Sequence, residues 1–522
     1  MLLTAELLLH YQRCNRRTFL DVYGDRTQKD PPSDFQLKLR KERLAHQQFI
    51  LAEQERQGAT PHYQPDYPNR DWTAGAVATT ALMQQGVERI YRGVLVATVE
   101  ATGGEGEGKF TLVSHPDLLV KQPGKSYFGD WLYVASDIHL GKRAKQEYQI
   151  GAAYHTLLLA SVQGAWPENA WLILRDKGAY SVDLWRALPQ MQIILEQCLE
   201  MLNSQREPDV FISRQLCSLC PWLSQCYPRA KSGQHISLVP GVTPSRYRHL
   251  QTLRLTTLES LADANPLYLQ PEMEEPLAQH LVQQAQSVLY NKVISIPFAS
   301  GSRAPLPAAP VELYFDIEAE PDLNLDYLLG VLVVDRLANT EKFYPLLAEQ
   351  PAAEASIWQQ FLDLVWAYPN APIFHFSPYE ADTVKRLATL YNTPGEQVNP
   401  VLSRFVDLHK RVTGAVTLPV EGYSLKSIAS WMGFEWRDAR ANGSQSICWY
   451  DQWLETGDRS LLDAILRYNE DDCHATRRVK DWLENFLLGT NPLADDRQIS
   501  LDAVKSGNSW QITPALEAQF LE

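Results

Sequence analysis

The sequence predicts an α/β protein in which two large α/β regions are separated by a smaller helical region. Strand and helix patterns alternate from residue 311 to residue 488, and the first of these strands carries two carboxylates. A second group of strand patterns with acidic residues lies before residue 230. Between the two regions, residues 296–310 are rich in proline, serine and glycine, which is typical of a linker between domains.

The chain has 522 residues, which is enough for two to four domains with their own cores. We expect an N-terminal α/β domain, a helical connector, a linker, a C-terminal α/β domain and a polar tail. In that order they span residues 1–230, 231–295, 296–310, 311–488 and 489–522.

The N-terminal domain carries candidate metal ligands on a helix and two strands. His46 lies in a helix predicted over residues 34–56, Asp117 precedes a short strand, and a longer strand ends in Asp137-Ile-His139. A metal-dependent nuclease needs carboxylates for Mg²⁺ or Mn²⁺ and a cation near the scissile phosphate. A histidine with an ordinary pKa near 6.5 is mostly neutral at pH 7, so His139 is a poor fixed cation but a possible metal ligand. An active site and a retained fold with weakened chemistry both remain open, and His46 alone fits an ordinary helix histidine.

Four cysteines form a candidate metal-binding set. The run Cys217-x2-Cys220-x5-Cys226 lacks one ligand, which Cys14 can supply from a helix predicted over residues 4–23. Four thiolates suit Zn²⁺ and iron–sulfur clusters alike, and an incidental triad is the alternative. Seven cysteines, an odd number, fit a reducing compartment better than a disulfide framework, so we expect a cytoplasmic protein.

These N-terminal motifs resemble PD-(D/E)XK nucleases of the RecB-like branch. The resemblance implies a restriction-endonuclease-like fold with Asp117, Asp137 and His139 as catalytic residues, where His139 replaces the usual lysine. The one-plus-three cysteine layout is similar to that of RecB-like nucleases with an iron–sulfur cluster, including CRISPR-associated and AddB-type enzymes. It implies that a [4Fe–4S] cluster is favoured over Zn²⁺.

The helical connector contains a Pro-Gly turn between short helices. The segment Leu238-Val-Pro-Gly241-Val-Thr-Pro-Ser-Arg246 resembles a helix-hairpin-helix, in which the backbone amides near Gly241 would meet a phosphate, aided by Arg246 or Arg248. A plain helical connector is an equally good interpretation.

The C-terminal domain carries carboxylates at three places along the chain. Asp316 and Glu318 project to one face of a strand, about 6–7 Å apart. Glu380 opens a helix, and Asp472 follows Tyr468 by one helical turn. Carboxylates that converge from several elements can hold two metal ions and support phosphoryl chemistry, whereas Asp-x-Glu alone is common on solvated strands.

The order of these motifs resembles the DEDD exonuclease superfamily, which has a ribonuclease H-like fold. The resemblance covers residues 311–488 and assigns the first-motif acids to Asp316 and Glu318 and the third-motif acid to Asp472. It implies that Tyr468 orients the attacking water. The second-motif position is Asp in most of these enzymes and Glu380 here, which could alter the geometry.

The sequence therefore predicts a metal-dependent nuclease that acts on single-stranded DNA or RNA ends in the 3′ to 5′ direction. The alternative is a nucleic-acid-binding or assembly factor with one or both sites inactive. The net charge of −14 argues against a broad electrostatic grip on nucleic acid. We expect no membrane-spanning segment, and the patterns identify no helicase or repair partner.

Overall fold

The computed structural model describes residues 1–101, 108–270, 273–296 and 305–489. The chain divides into two compact units, Met1–Ser232 and Gly233–Glu522. Most of the predicted linker and nearly all of the predicted C-terminal tail lie outside the described residues. Within the described ranges, no helix is long and apolar enough to cross a bilayer.

The first unit combines a five-stranded sheet and a three-stranded sheet with α-helices. Its strands are β1 (Leu2–Thr4), β2 (Arg89–Tyr91), β3 (Leu95–Ala101), β4 (Gly108–Ser114), β5 (Leu118–Ser126), β6 (Gly129–His139), β7 (Ala170–Leu174) and β8 (Gly178–Val182). Its helices are α1 (Ala5–Arg13), α2 (Asn15–Tyr23), α3 (Asp34–Arg56), α4 (Trp72–Gln84), α5 (Gln146–Gln163), α6 (Leu184–Ser204), α7 (Arg214–Cys217) and α8 (Leu223–Ser232).

The larger sheet of this unit has the order β2-β5-β6-β7-β8. Strands β6 and β7 run parallel, as their connection through the long helix α5 requires, and the other neighbours are antiparallel. The smaller sheet has the order β1-β4-β3. This topology brings the end of β6, with Asp137 and His139, beside the start of α5.

Local capping explains where two of the N-terminal helices begin and end. Helix α3 begins after Ser33, whose side chain forms a capping box with Gln36. The single helix predicted over residues 4–23 is wrong, because the structure breaks it at Cys14 into α1 and α2. Cys14 has an extended backbone, and its sulfur accepts a hydrogen bond from the Arg17 amide, which makes it the N-cap of α2.

The second unit contains the connector helices and the C-terminal α/β region. Its helices are α9 (Pro244–Thr252), α10 (Leu258–Ala262), α11 (Glu275–Tyr290), α12 (Glu354–Ala367), α13 (Tyr379–Leu390), α14 (Gly395–Leu402), α15 (Leu408–Ala415), α16 (Leu425–Trp431), α17 (Gly443–Thr456) and α18 (Arg459–Leu487). Its strands are β9 (Ile294–Ser295), β10 (Val311–Glu320), β11 (Leu325–Asp335), β12 (Thr340–Leu347), β13 (Ile373–His375), β14 (Phe405–Asp407) and β15 (Val416–Thr417).

The main sheet of the second unit has the order β12-β11-β10-β13-β14. Its first three strands are antiparallel, and β13 and β14 run parallel to β10. Because side chains alternate along β10, Phe315 enters the core on one face while Tyr314 enters the core on the other. Asp316 and Glu318 share the face of Tyr314, which is the face that α18 covers.

The connector packs against the C-terminal α/β region of the same unit. Strand β9 pairs with β15, and Gln284 of α11 donates a hydrogen bond of 2.7 Å to the Leu418 carbonyl. Within the predicted helix-hairpin-helix, Gly241 has a φ of 89° and precedes α9. The Arg246 guanidinium donates to the Gly241 carbonyl at 2.7 Å, so this arginine stabilises the turn itself.

Candidate active site

Three carboxylates of the second unit converge between β10 and α18. One ligand oxygen from each of Asp316, Glu318 and Asp472 lies within 4.8 Å of the others. Glu318 and Asp472 are buried, and Asp316 is half-buried, which leaves one side of the group accessible. A β-bulge follows directly, between Glu318 and Ala319, and changes the course of the strand at the site.

The electrostatics of this group favour a bound cation. Burial and repulsion from Asp472 raise the pKa values of Asp316 and Glu318 well above their ordinary values. Burial raises the pKa of Asp472 to about 7, although hydrogen bonds from Trp436 and Tyr468 oppose the change. Three acids that destabilise one another's ionised forms, with oxygens at this spacing, fit a site for Mg²⁺ or Mn²⁺.

Two polar side chains that sequence analysis did not identify hold these acids in place. Asn469 Nδ2 donates to Asp316 Oδ2 at 2.7 Å, and the indole nitrogen of Trp436 donates to Asp472 Oδ1 at 2.7 Å. Asn469 directly follows Tyr468, so the motif that predicted a role for Tyr468 could also have identified Asn469 as a neighbour of the site. Trp436 lies 36 residues from Asp472, and no local pattern links the two.

Glu380 lies close to this group but is held by residues of its own segment. Ser377 Oγ donates to Glu380 Oε2 at 2.9 Å, and His375 Nδ1 lies 3.4 Å from the same oxygen. The negative charge of Glu380 further raises the pKa of Asp316, so the two carboxylates are close enough to interact electrostatically. Ser377 has a φ of 154°, which L-residues rarely adopt, and this strained residue positions Glu380.

Tyr468 and Lys426 complete the surroundings of Asp472. Tyr468 is hydrogen-bonded to Asp472, and burial together with the nearby acids raises the pKa of its hydroxyl group, which therefore stays protonated as a donor. Lys426 donates to the Ala441 carbonyl at 2.6 Å and lies 5.4 Å from the centre of the Trp436 ring. Its charge opposes the rise in the pKa of Asp472.

In the first unit, Asp117 and Asp137 also lie together. The Asp117 amide donates to Asp137 Oδ1 at 3.3 Å, and the Ile138 amide donates to Asp117 Oδ2 at 2.7 Å. Gln47 of α3 donates to Asp117 Oδ1 at 2.7 Å. His155 Nε2, which sequence analysis missed, lies 3.4 Å from Asp137 Oδ2.

The charges around this pair are unusual. Burial raises the pKa of Asp117 to about 6 and that of Asp137 to about 7, while burial lowers the pKa of His139 to about 3. His139 is therefore neutral and stacks on Tyr148 with ring centres 3.9 Å apart. Arg43 of α3 is a cation whose charge acts on Asp117, Asp137 and His139.

His46 lies near the backbone of His139, to which its imidazole is hydrogen-bonded. The Nε2 atoms of both histidines are buried and have no partner. Across the described residues, however, no group of three ligand atoms within 4.8 Å includes His46, Asp117 or Asp137. The structure thus brings the predicted N-terminal residues into one neighbourhood without forming a compact ligand set.

The four predicted cysteines also come together. The Cys14 and Cys226 thiols are close enough to interact electrostatically. The thiols of Cys217 and Cys220 each interact with Cys14 in the same way. No three of these sulfurs lie within 4.8 Å of one another, as judged over the described residues. Burial raises the pKa of Cys14 and Cys217, and it raises the pKa of Cys220 to about 11.

Comparison with known families covers the C-terminal domain. Residues 313–484 match the family model of the RNase H superfamily. This C-terminal domain is therefore RNase H-like, which indicates a nuclease-type activity on nucleic acid. A search of curated proteins gave no match to the chain.

Proposed function

We propose that the second unit is a divalent-metal-dependent exonuclease that removes nucleotides from the 3′ ends of single-stranded nucleic acid. The observation that supports this most directly is the group formed by Asp316, Glu318 and Asp472, with its ligand oxygens within 4.8 Å. A protein gains little from clustering three carboxylates, two of them buried, unless a cation compensates their charge. The match to the RNase H superfamily supports hydrolysis of nucleic acid. The 3′ to 5′ direction is part of the proposal and rests on the resemblance of the motif order to DEDD exonucleases.

The three acids would hold Mg²⁺ or Mn²⁺, with Glu380 as an additional ligand on the side of Asp316. A bound pair of divalent ions stabilises the attacking and leaving oxygens of a phosphodiester during in-line displacement. Asn469 and Trp436 fix the orientation of Asp316 and Asp472 through their hydrogen bonds. The half-buried Asp316 lies at the accessible side, where a phosphate would enter.

Tyr468 would orient the attacking water. Its hydroxyl group is protonated, lies beside Asp472 and is close enough to Asp316 and Glu318 for their charges to act on it. A neutral donor held next to carboxylates can fix the position of a water without adding negative charge.

The first unit supports a second candidate function, in which a restriction-endonuclease-like domain binds DNA without cutting it. The parallel β6–α5–β7 arrangement and the Asp117–Asp137 pair favour that fold. The neutral His139 and the lack of a compact ligand set among its described residues favour binding over cleavage. Arg43 is the cation that would let this unit cut as well.

We also propose that Cys14, Cys217, Cys220 and Cys226 hold a [4Fe–4S] cluster. A single Zn²⁺ with Zn–S bonds of about 2.3 Å would bring its sulfurs to within about 4 Å of one another. A cluster with an iron at each corner spaces its thiolates further apart, which agrees with sulfurs that interact electrostatically but form no group within 4.8 Å. Zn²⁺ is the alternative.

Cleavage assays with labelled ends test the exonuclease. Single-stranded DNA and RNA labelled at the 3′ or 5′ end are digested with Mn²⁺ by the wild type, Asp316→Ala, Asp117→Ala and Asp363→Ala. We expect Asp316→Ala to lower digestion from the 3′ end by on the order of 10³-fold, because it removes a metal ligand. Asp363 is an exposed acid on α12, so its variant serves as the matched control.

Each result of this assay has a distinct meaning. Loss of digestion only in Asp117→Ala would place the working site in the first unit and contradict our proposal. A wild type that binds both substrates but cuts neither would favour the binding or assembly factor.

Metal analysis of cysteine variants tests the cluster. Protein purified without oxygen is expected to contain iron and acid-labile sulfide and to absorb visible light. Cys217→Ser should lower all three signals, whereas Cys198→Ala should leave them unchanged. Cys198 is a buried thiol on α6 and controls for the loss of a sulfur from the core. Stoichiometric zinc without sulfide would contradict the assignment.

A further inference from the structure

A buried ion pair joins β10 to α18 at the end of their interface opposite the acidic group. Lys480 Nζ lies 2.8 Å from Glu312 Oε1, and both residues are 2% exposed. Lys480 Nζ also donates to Glu484 Oε2 at 2.8 Å, and it lies 5.6 Å from the centre of the Phe374 ring. No step of the proposed reaction uses this pair.

The second oxygen of Glu312 is equally well satisfied. Arg336 Nε donates to Glu312 Oε2 at 2.6 Å, and the Tyr314 hydroxyl donates to the same oxygen at 2.7 Å. Arg336 also pairs with Asp481 of α18. Both members of the buried pair therefore have further hydrogen-bonded or opposite-charge partners, which is the condition under which a buried ion pair is tolerated.

The ion pair and the acidic group both lie between α18 and the face of β10 that it covers. Side chains two residues apart share one face of a strand, so Glu312, Asp316 and Glu318 all face α18. Glu312 and Asp316 are about 13 Å apart along the strand. Asp472 and Lys480 are about 12 Å apart along the helix. These near-equal spacings let both pairs form at once, with strand and helix running in opposite directions.

We propose that the Glu312–Lys480 ion pair is a register clamp, which holds α18 at the one position along β10 where Asp472 meets Asp316 and Glu318. Lys480 and Glu312 would thus be positioning residues for the metal site, and this role rests on the proposed function of that site.

The clamp acts together with other contacts across the same interface, among them the hydrogen bond of 2.7 Å from Asn469 to Asp316. A shift of α18 by one turn is about 5.4 Å, more than the 4.8 Å that encloses the ligand oxygens. Such a shift would separate Lys480 from Glu312 and leave both buried charges without this partner, which is strongly unfavourable.

A paired variant tests the clamp without relying on cleavage. The double variant Lys480→Met with Glu312→Gln removes both charges. The amide oxygen of the new glutamine can still accept the hydrogen bond from the Tyr314 hydroxyl. Arg459→Met with Glu349→Gln removes an exposed ion pair of the same unit and is the matched control. Glu312→Gln alone, in which Lys480 keeps its hydrogen bond of 2.8 Å to Glu484, is the second variant for the case in which the paired variant does not fold.

Two measurements on the full chain report on the site. Titration with Mn²⁺ gives the metal affinity. In protein labelled with ¹⁵N-tryptophan, the indole N–H resonance of Trp436, assigned with Trp436→Phe, reports on its hydrogen bond to Asp472 without any metal. Thermal unfolding identifies the variants that are folded.

We expect the folded paired variant to bind Mn²⁺ about 10–100-fold more weakly than the wild type, with a displaced Trp436 resonance. The control should match the wild type in both measurements. Wild-type affinity together with an unchanged Trp436 resonance in the paired variant would overturn the clamp. A wild type that binds no Mn²⁺ would instead contradict the proposed function, and the Trp436 resonance would still decide for or against the clamp.

Discussion

The metal-free protein is expected to lose stability as the pH rises from about 4 to about 7, and divalent metal is expected to restore it. Burial and mutual repulsion raise the pKa of Asp316 and Glu318, and burial raises that of Asp472 to about 7. In the unfolded chain, such carboxyl groups titrate near 4. The folded state therefore binds more protons than the unfolded state between these limits. Its free energy of unfolding falls as the pH rises through the pKa of each folded group.

Urea unfolding at several pH values, with EDTA or with Mn²⁺, measures this dependence. Because Asp117 and Asp137 of the first unit contribute in the same direction, Asp472→Asn should reduce the slope without removing it. At pH 8, the same variant should be more stable than the wild type in EDTA and less stabilised by Mn²⁺. A free energy of unfolding that is constant with pH in EDTA would show that the acids are not held at high pKa.

The second large effect is expected from Gly330→Ala. Gly330 lies opposite Asp316 in the pairing of β10 and β11. A Cβ atom at this position would lie 1.6 Å from Asn469 Oδ1, where Asn469 is buried and bonded to Asp316. The methyl group would have to displace α18 or Asn469, so we expect a loss of about 3 kcal/mol or more in unfolding free energy, and loss of metal binding.

Two further variants make this prediction specific. Gly443→Ala, at the start of α17, meets no atom within 4 Å and should leave stability unchanged or slightly higher. Adding Asn469→Ala to Gly330→Ala relieves the overlap, so stability should recover in part while activity stays low, because Asp316 loses its hydrogen bond. Near-wild-type stability of Gly330→Ala alone would contradict the close packing of Asn469 on β11.

The features of the site that the sequence predicted depend on short-range periodicity. Alternation along β10 places Asp316 and Glu318 on one face, and helical spacing places Tyr468 one turn from Asp472. The boundaries of α3 were predictable for the same reason, because Ser33 and Gln36 form a local capping box. The RNase H-like character of the C-terminal domain was also predictable, since its motifs occur in a fixed order along the chain.

Contacts between distant segments were decided only by the tertiary structure. Trp436 bonds to Asp472, the charge of Arg43 acts on Asp117, and Cys14 interrupts a helix that periodicity alone predicts to be continuous. Lys480 is the strongest case, because a lysine on an amphipathic helix is ordinarily exposed and only the fold places Glu312 against it. The sequence by itself thus determined which residue types carry the chemistry. The packing of α18 on β10 determined which of them meet, because burial, charge and register arise only when distant segments come together.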